Sequence, residues 1–207
     1  MLDDEKLYNF LDKTIAFVWT YAIYMPGVNS LRTPIYDEMV NIVNNQEINF
    51  EKYKFDYETI KQNFYNYEFY TRRPITKSML AWWAYTNNNQ ELIPLTDVFE
   101  IEHIYARNRQ DNEKGLTDSR NIDRLGNKSL LEKRINIRAA DYRFADKKKY
   151  YAGYTTDRGV VKEKTQIIDL INIGNQYQDF NENDITARNA KIIDSFLEYL
   201  KNKNLFK

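Results

Sequence analysis

Apolar positions recur at intervals of three and four through the first hundred residues, a spacing that predicts helices. Leu7, Phe10, Leu11, Thr14, Ile15, Val18, Tyr21 and Ala22 define one face of a first helix. Asp3 or Asp4 is placed to cap it, and Pro26-Gly27 to end it. Thr33-Pro34 reads as an N-cap followed by proline at the first helical position. The second helix it opens carries Ile35, Met39, Ile42 and Val43 as an apolar stripe, and Asn44-Asn45 closes it. Tyr57, Ile60, Phe64 and Tyr67 space a third helix. Ile75, Met79, Leu80 and Trp83 space a fourth, behind Pro74.

The period changes at Val98. Residues Val98 to Tyr105 are rich in β-formers and partly alternate, which predicts a strand. Residues 106–123 are polar, with Gly115 and several Asp and Asn, and read as a loop. Leu125 to Leu131, turning at Gly126-Asn127, predicts a second short strand. Helical pattern resumes near Glu132 and again from Phe144 to Tyr151. A loop follows Gly153, then helices over 160–173 and 184–202, the last with Ile185, Ile192, Ile193, Phe196, Leu197 and Leu200 on one face. The expected class is α+β, mainly α. No internal repeat and no Pro/Gly/Ser linker divides the chain.

Composition narrows the function. The 207 residues are 43% hydrophobic and 29% charged, which suits a globular chain with a real core. Mean hydropathy is −0.72, and no apolar run approaches the roughly 18 residues of a membrane-spanning helix. Asp3, Asp4, Glu5 and Asp12 do not suit a signal peptide. The absence of Cys excludes disulfides, thiolate catalysis and cysteine-ligated zinc, and fits a reducing cytosol. The single His, His103, excludes sites built on two His ligands. No glycine loop of phosphate-cradling type is present. The 17 Tyr and 11 Phe fall mostly at helical spacing and read as core.

The zero net charge conceals an asymmetry. Residues 1–101 carry 9 basic against 14 acidic side chains, residues 102–150 carry 13 against 8, and the remainder 8 against 8. The middle is a basic block, either a phosphate-facing surface or a solvated mixed-charge one.

Candidate chemistry lies in that block. His103 alone, on a strand, is an ordinary packed histidine. It is, however, preceded by Glu102, followed after a turn by Asn127, and then by Asn136. Ile101-Glu102-His103-Ile104, Leu125-Gly126-Asn127-Lys128-Ser129-Leu130-Leu131, Asn136, and Phe144 with Lys147 and Tyr150 together resemble the HNH nuclease module that ends GmrSD-type restriction proteins. Such nucleases share the ββα-metal fold. The resemblance spans residues 98–151, and Ile185-Thr186-Ala187-Arg188 is similar to the helical surroundings of that module.

The resemblance implies a metal-dependent DNA endonuclease that hydrolyses phosphodiesters, in bacterial defence against foreign DNA and in the cytoplasm. It implies His103 as general base and Glu102 and Asn136 as ligands of a divalent cation. Oxygen ligands of that kind suit Mg²⁺ or Mn²⁺. It implies Asn127 as the residue that fixes the loop and orients the histidine. Lys147 and Lys148, with Arg107 and Arg109, are the expected nucleic-acid contacts. The domain division implied is a helical region at 1–97, the ββα-metal motif at 98–153 and packing helices at 154–207.

The sequence departs from the family pattern in three ways. Ala106 stands where Pro is frequent, and Glu102 where Asp is usual. Adjacent strand residues point to opposite faces, so Glu102 and His103 share one site only if the strand ends or twists there. GmrSD-type proteins also usually carry a large nucleotide-handling N-terminal domain, which implies a partner domain or subunit beyond these residues. Two other readings fit the sequence. One is an inactive nucleic-acid-binding or protein-interaction module. The other is a helical bundle in which Glu102 and His103 merely hydrogen-bond in the core.

Overall fold

The computed structural model describes residues 4–27, 29–94 and 96–207. The architecture is α+β and mainly helical. The elements are α1 (Asp4–Tyr24), α2 (Arg32–Val43), α3 (Tyr57–Asn66), α4 (Pro74–Tyr85), β1 (Phe99–His103), α5 (Arg107–Glu113), β2 (Lys128–Glu132), α6 (Lys133–Ala139), α7 (Phe144–Ala152), β3 (Tyr154–Thr155), β4 (Val161–Lys162), α8 (Ile168–Gln176) and α9 (Glu182–Lys201). Among the described residues, no helix is long and apolar enough to cross a membrane. The chain divides into two compact units, residues up to Tyr67 with Ile193–Lys207, and Glu68–Ile192.

The first unit holds α1, α2, α3 and the end of α9. Its core is aromatic. Phe17 stacks on Phe50 with centroids 3.7 Å apart, and Phe64 packs on Phe196 at 5.0 Å. Asp56 caps α3, accepting from the Thr59 amide at 2.8 Å. Three details differ from the sequence expectation. Leu7, Leu11 and Ile15 are exposed, because the side of α1 that packs is set by Ala16, Phe17, Thr20 and Tyr21. Met39, Ile42 and Val43 are exposed too, because α2 buries Pro34 and Glu38 instead; the Glu38 carboxylate accepts from the Asn49 and Phe50 amides. Thr33 lies inside α2, whose N-cap is Leu31, so Pro34 is the third helical residue. Asp3, one of the two expected caps of α1, lies outside the described residues.

The second unit is built on β1 and β2, an antiparallel pair with Glu102 opposite Ser129 and His103 opposite Lys128. Every residue of β2 is buried. α6 follows β2 without a gap, giving a strand–strand–helix unit. The stretch 106–123 is more ordered than a loop. It contains α5 and a 3-10 turn over Ser119–Asp123. α5 has no apolar stripe, so its sequence carries no helical period. Beyond Gly153 the expected loop is a small β3–β4 hairpin, and the helix expected over 160–173 begins at Ile168, with Ile167 at the N-cap position and no side-chain cap.

Candidate functional site

β1 ends at His103, and that ending resolves the alternation problem. Glu102 turns toward α7, whereas His103 turns to the side it shares with Lys128. Both still border one cavity of about 170 Å³, together with Ile101, Arg107, Asn136, Ala140, Asp141 and Lys147.

Glu102 is buried. Its Oε1 accepts from Lys147 Nζ at 2.8 Å and from the Tyr151 hydroxyl at 2.6 Å. Burial pushes the Glu102 carboxyl up, against the opposing pull of the Lys147 ammonium. The same ammonium donates to the His103 carbonyl at 2.7 Å, so Lys147 ties the glutamate to the end of β1.

The His103 side chain is 16% exposed. Nε2 is fully buried and makes no hydrogen bond. It lies 3.9 Å from Asp123 Oδ1, beyond hydrogen-bond length. Asp123 Oδ1 also accepts from Arg107 at 2.5 Å and from the fully buried Lys128 at 2.6 Å. Burial lowers the His103 pKa to about 4; Asp123 raises it, and Lys128 and Arg107 push it further down. The imidazole is therefore neutral at pH 7. Burial alone would raise the Asp123 carboxyl, but its contacts with His103, Arg107 and Lys128 outweigh burial and hold it well below the usual range.

Asn127 is fully buried and outside the cavity lining. Its side chain accepts from the Tyr105 amide at 2.7 Å and donates to the carbonyls of Tyr105 and Ile122 at 3.1 and 3.2 Å. Its own carbonyl accepts from Ile104 at 2.9 Å. One side chain thus knits the segment after His103 to the segment that presents Asp123. The Asn127 loop is clamped by α9. A Cβ on Gly126 would meet the Ile185 carbonyl at 2.0 Å. Arg188 donates to the carbonyls of Leu125, Gly126 and Lys128, each at 2.9 Å, and pairs with Asp169 at 2.6 Å.

Asn136, on α6, donates to Glu100 at 2.9 Å, and its Oδ1 makes no hydrogen bond. Among the described residues, no group of three or more His, Cys, Asp or Glu side chains is arranged as a metal cage. Asn136, Asp141 and Glu102, three residues with oxygen-bearing side chains, line the cavity. That donor set fits a hard cation that keeps part of its water and completes its shell on substrate phosphate.

A family model described as GmrSD restriction endonucleases, C-terminal domain, matches residues 54–195, more than half of the chain. The chain belongs to this family. The GmrSD resemblance read from residues 98–151 is borne out, over a longer stretch. No curated protein and no solved structure matches the chain. Membership in the GmrSD family indicates a restriction-endonuclease type of function and a DNA substrate, at that level of description.

Within this GmrSD domain, the expected phosphate contacts separate. Arg107 lines the cavity with its side chain 44% exposed. Lys147 also lines it but is only 1% exposed, with its ammonium committed to Glu102 and the His103 carbonyl. Lys148 donates to the Tyr177 carbonyl at 2.6 Å. Arg109 pairs with Glu113 at 3.1 Å and lies over the Tyr105 ring. Neither of these two lines the cavity. Sequence reasoning missed Asp123, Asp141 and Tyr151. Asp123 carries no periodic or motif signal, and its three cationic or imidazole neighbours meet only through the fold.

Proposed function

We propose that this domain is a metal-dependent HNH-type DNA endonuclease, with its nuclease motif in residues 98–153. The observation that carries the reading is the meeting, at one small cavity on a strand–strand–helix unit, of a neutral imidazole with oxygen donors from two different elements.

His103 is the general base. Its Nδ1 makes no hydrogen bond and, unlike Nε2, is not buried, so this nitrogen takes the proton of the attacking water. A divalent cation such as Mg²⁺ or Mn²⁺, when bound at the cavity, would supply charge neutralisation at the scissile phosphate. Asn136 and Glu102, with Asp141, are the residues that would hold it. Lys147 and Tyr151 fix Glu102 through Oε1 at the edge of the cavity. Arg107 is the guanidinium best placed to contact a phosphate oxygen while it also touches Asp123. Asn127 and Arg188 hold the backbone on which these groups depend.

The test is nicking of supercoiled plasmid by the purified protein. Cleavage is expected with Mg²⁺ or Mn²⁺, to disappear in excess EDTA and to return when the cation is restored. Undiminished cleavage in EDTA contradicts the metal assignment.

A further inference from the structure

We propose that Asp123 is a positioning residue that fixes His103 as its Nε2–H tautomer and thereby directs the Nδ1 lone pair into the cavity. The assignment rests on the reading of His103 as the base.

His103 Nε2 is buried without a partner, and the nearest charged oxygen is Asp123 Oδ1 at 3.9 Å. A lone pair on that nitrogen would face a carboxylate across a dry gap and be repelled. An N–H there is attracted. The alternative tautomer would therefore strand a buried acceptor against an anion and place the proton on the one nitrogen that water can reach. The carboxylate stays an anion because Lys128 and Arg107 both reach it. It also stays in place. The Asp123 carbonyl accepts from the Phe69 amide at 2.7 Å, and the preceding carbonyl, of Ile122, accepts from Asn127. The Asp123–His103 separation is about one ångström longer than a hydrogen bond, a gap of the kind that closes in substrate complexes.

The chain's single histidine makes the tautomer directly readable. Protein labelled with ¹⁵N in the imidazole gives one pair of ring nitrogen signals. At pH 7, without metal, the expected spectrum has a protonated Nε2 and an unprotonated Nδ1. The informative variant is Asp123→Asn combined with Lys128→Met, so that no buried ammonium is left without its anion. This protein is expected to show a mixed or reversed tautomer and at least a tenfold slower nicking rate. Lys128→Met alone is expected to keep the wild-type tautomer. A wild-type ring protonated at Nδ1 overturns the proposal, and so does a tautomer unchanged in the double variant. If the double variant does not fold, the wild-type spectrum alone decides. A switched tautomer with an unchanged nicking rate counts against His103 as the base, and not against the Asp123–His103 relation.

Discussion

Lys147 Nζ lies 2.8 Å from Glu102 Oε1, and both side chains are buried. A pair of this kind is costly to break from one side only, because the remaining charge has neither water nor partner. Lys147→Met is expected to lower unfolding free energy by about 3–5 kcal/mol, and adding Glu102→Gln is expected to recover most of the loss. Denaturant melts of the single and double variants measure the coupling. A single variant as stable as wild type contradicts the buried pair.

The same burial changes what is expected of DNA binding. The salt slope of affinity counts phosphates neutralised by exposed cations. Arg107→Gln is expected to flatten that slope by about one, whereas Lys148→Gln, whose ammonium is held by the Tyr177 carbonyl, is expected to change it little. Binding isotherms at three salt concentrations distinguish them. The reverse order would place the phosphate track along α7 rather than at the cavity.

Arg188 joins α9 to the loop that carries Asn127. Arg188→Ala removes three hydrogen bonds to carbonyls and takes the guanidinium partner from the half-buried Asp169. It is expected to cost about 3 kcal/mol and to slow nicking even at temperatures where the variant is fully folded. Gly126→Ala is expected to be as damaging, since its Cβ would strike the backbone of α9. Thermal melting and nicking rate on the same samples check both.

Much of this fold can be read from periodicity, and the exceptions have physical causes. Ile60, Phe64, Met79, Leu80, Ile192 and Phe196 sit at helical spacing and are buried as that spacing predicts. Leu7, Leu11, Met39 and Val43 have equally good spacing but are exposed. A period says that a helix has an apolar face and does not say which stripe finds a partner. The polar sequence of α5 has no stripe at all. Around the candidate site, the sequence presents Glu102, His103, Asn127 and Asn136 as an ordered set, and of these Glu102, His103 and Asn136 line one cavity. Asp123, Asp141 and Tyr151 are not in that set, because their relevance comes from distances across the fold. Lys147 was visible, but its role was not. A lysine in a basic segment suggests phosphate, whereas in the fold its ammonium is buried against Glu102.

The depressed His103 pKa carries a pH signature in metal-free protein. Between its ordinary value of 6.5 and its folded value of about 4, the unfolded chain takes up a proton that the folded ring refuses. The unfolded state binds more protons in that window, so stability rises with pH across it. The contribution is fully present above pH 6.5 and lost progressively toward pH 4, up to about 3 kcal/mol. Glu102, with its raised carboxyl, acts in the opposite direction, so the comparison must isolate the histidine. His103→Gln is expected to flatten the rise relative to wild type. Identical pH dependence in both proteins contradicts a buried neutral imidazole.

The central claim is that His103 activates the water that cuts DNA. Its most direct measurement is the plasmid-nicking rate of His103→Ala in Mg²⁺ or Mn²⁺, read beside DNA affinity and thermal melting of the same variant. A fall of roughly 10²–10⁴-fold in rate is expected, with affinity retained and the fold intact. A His103→Ala protein that nicks at the wild-type rate contradicts it, since the chain holds no second histidine to take over.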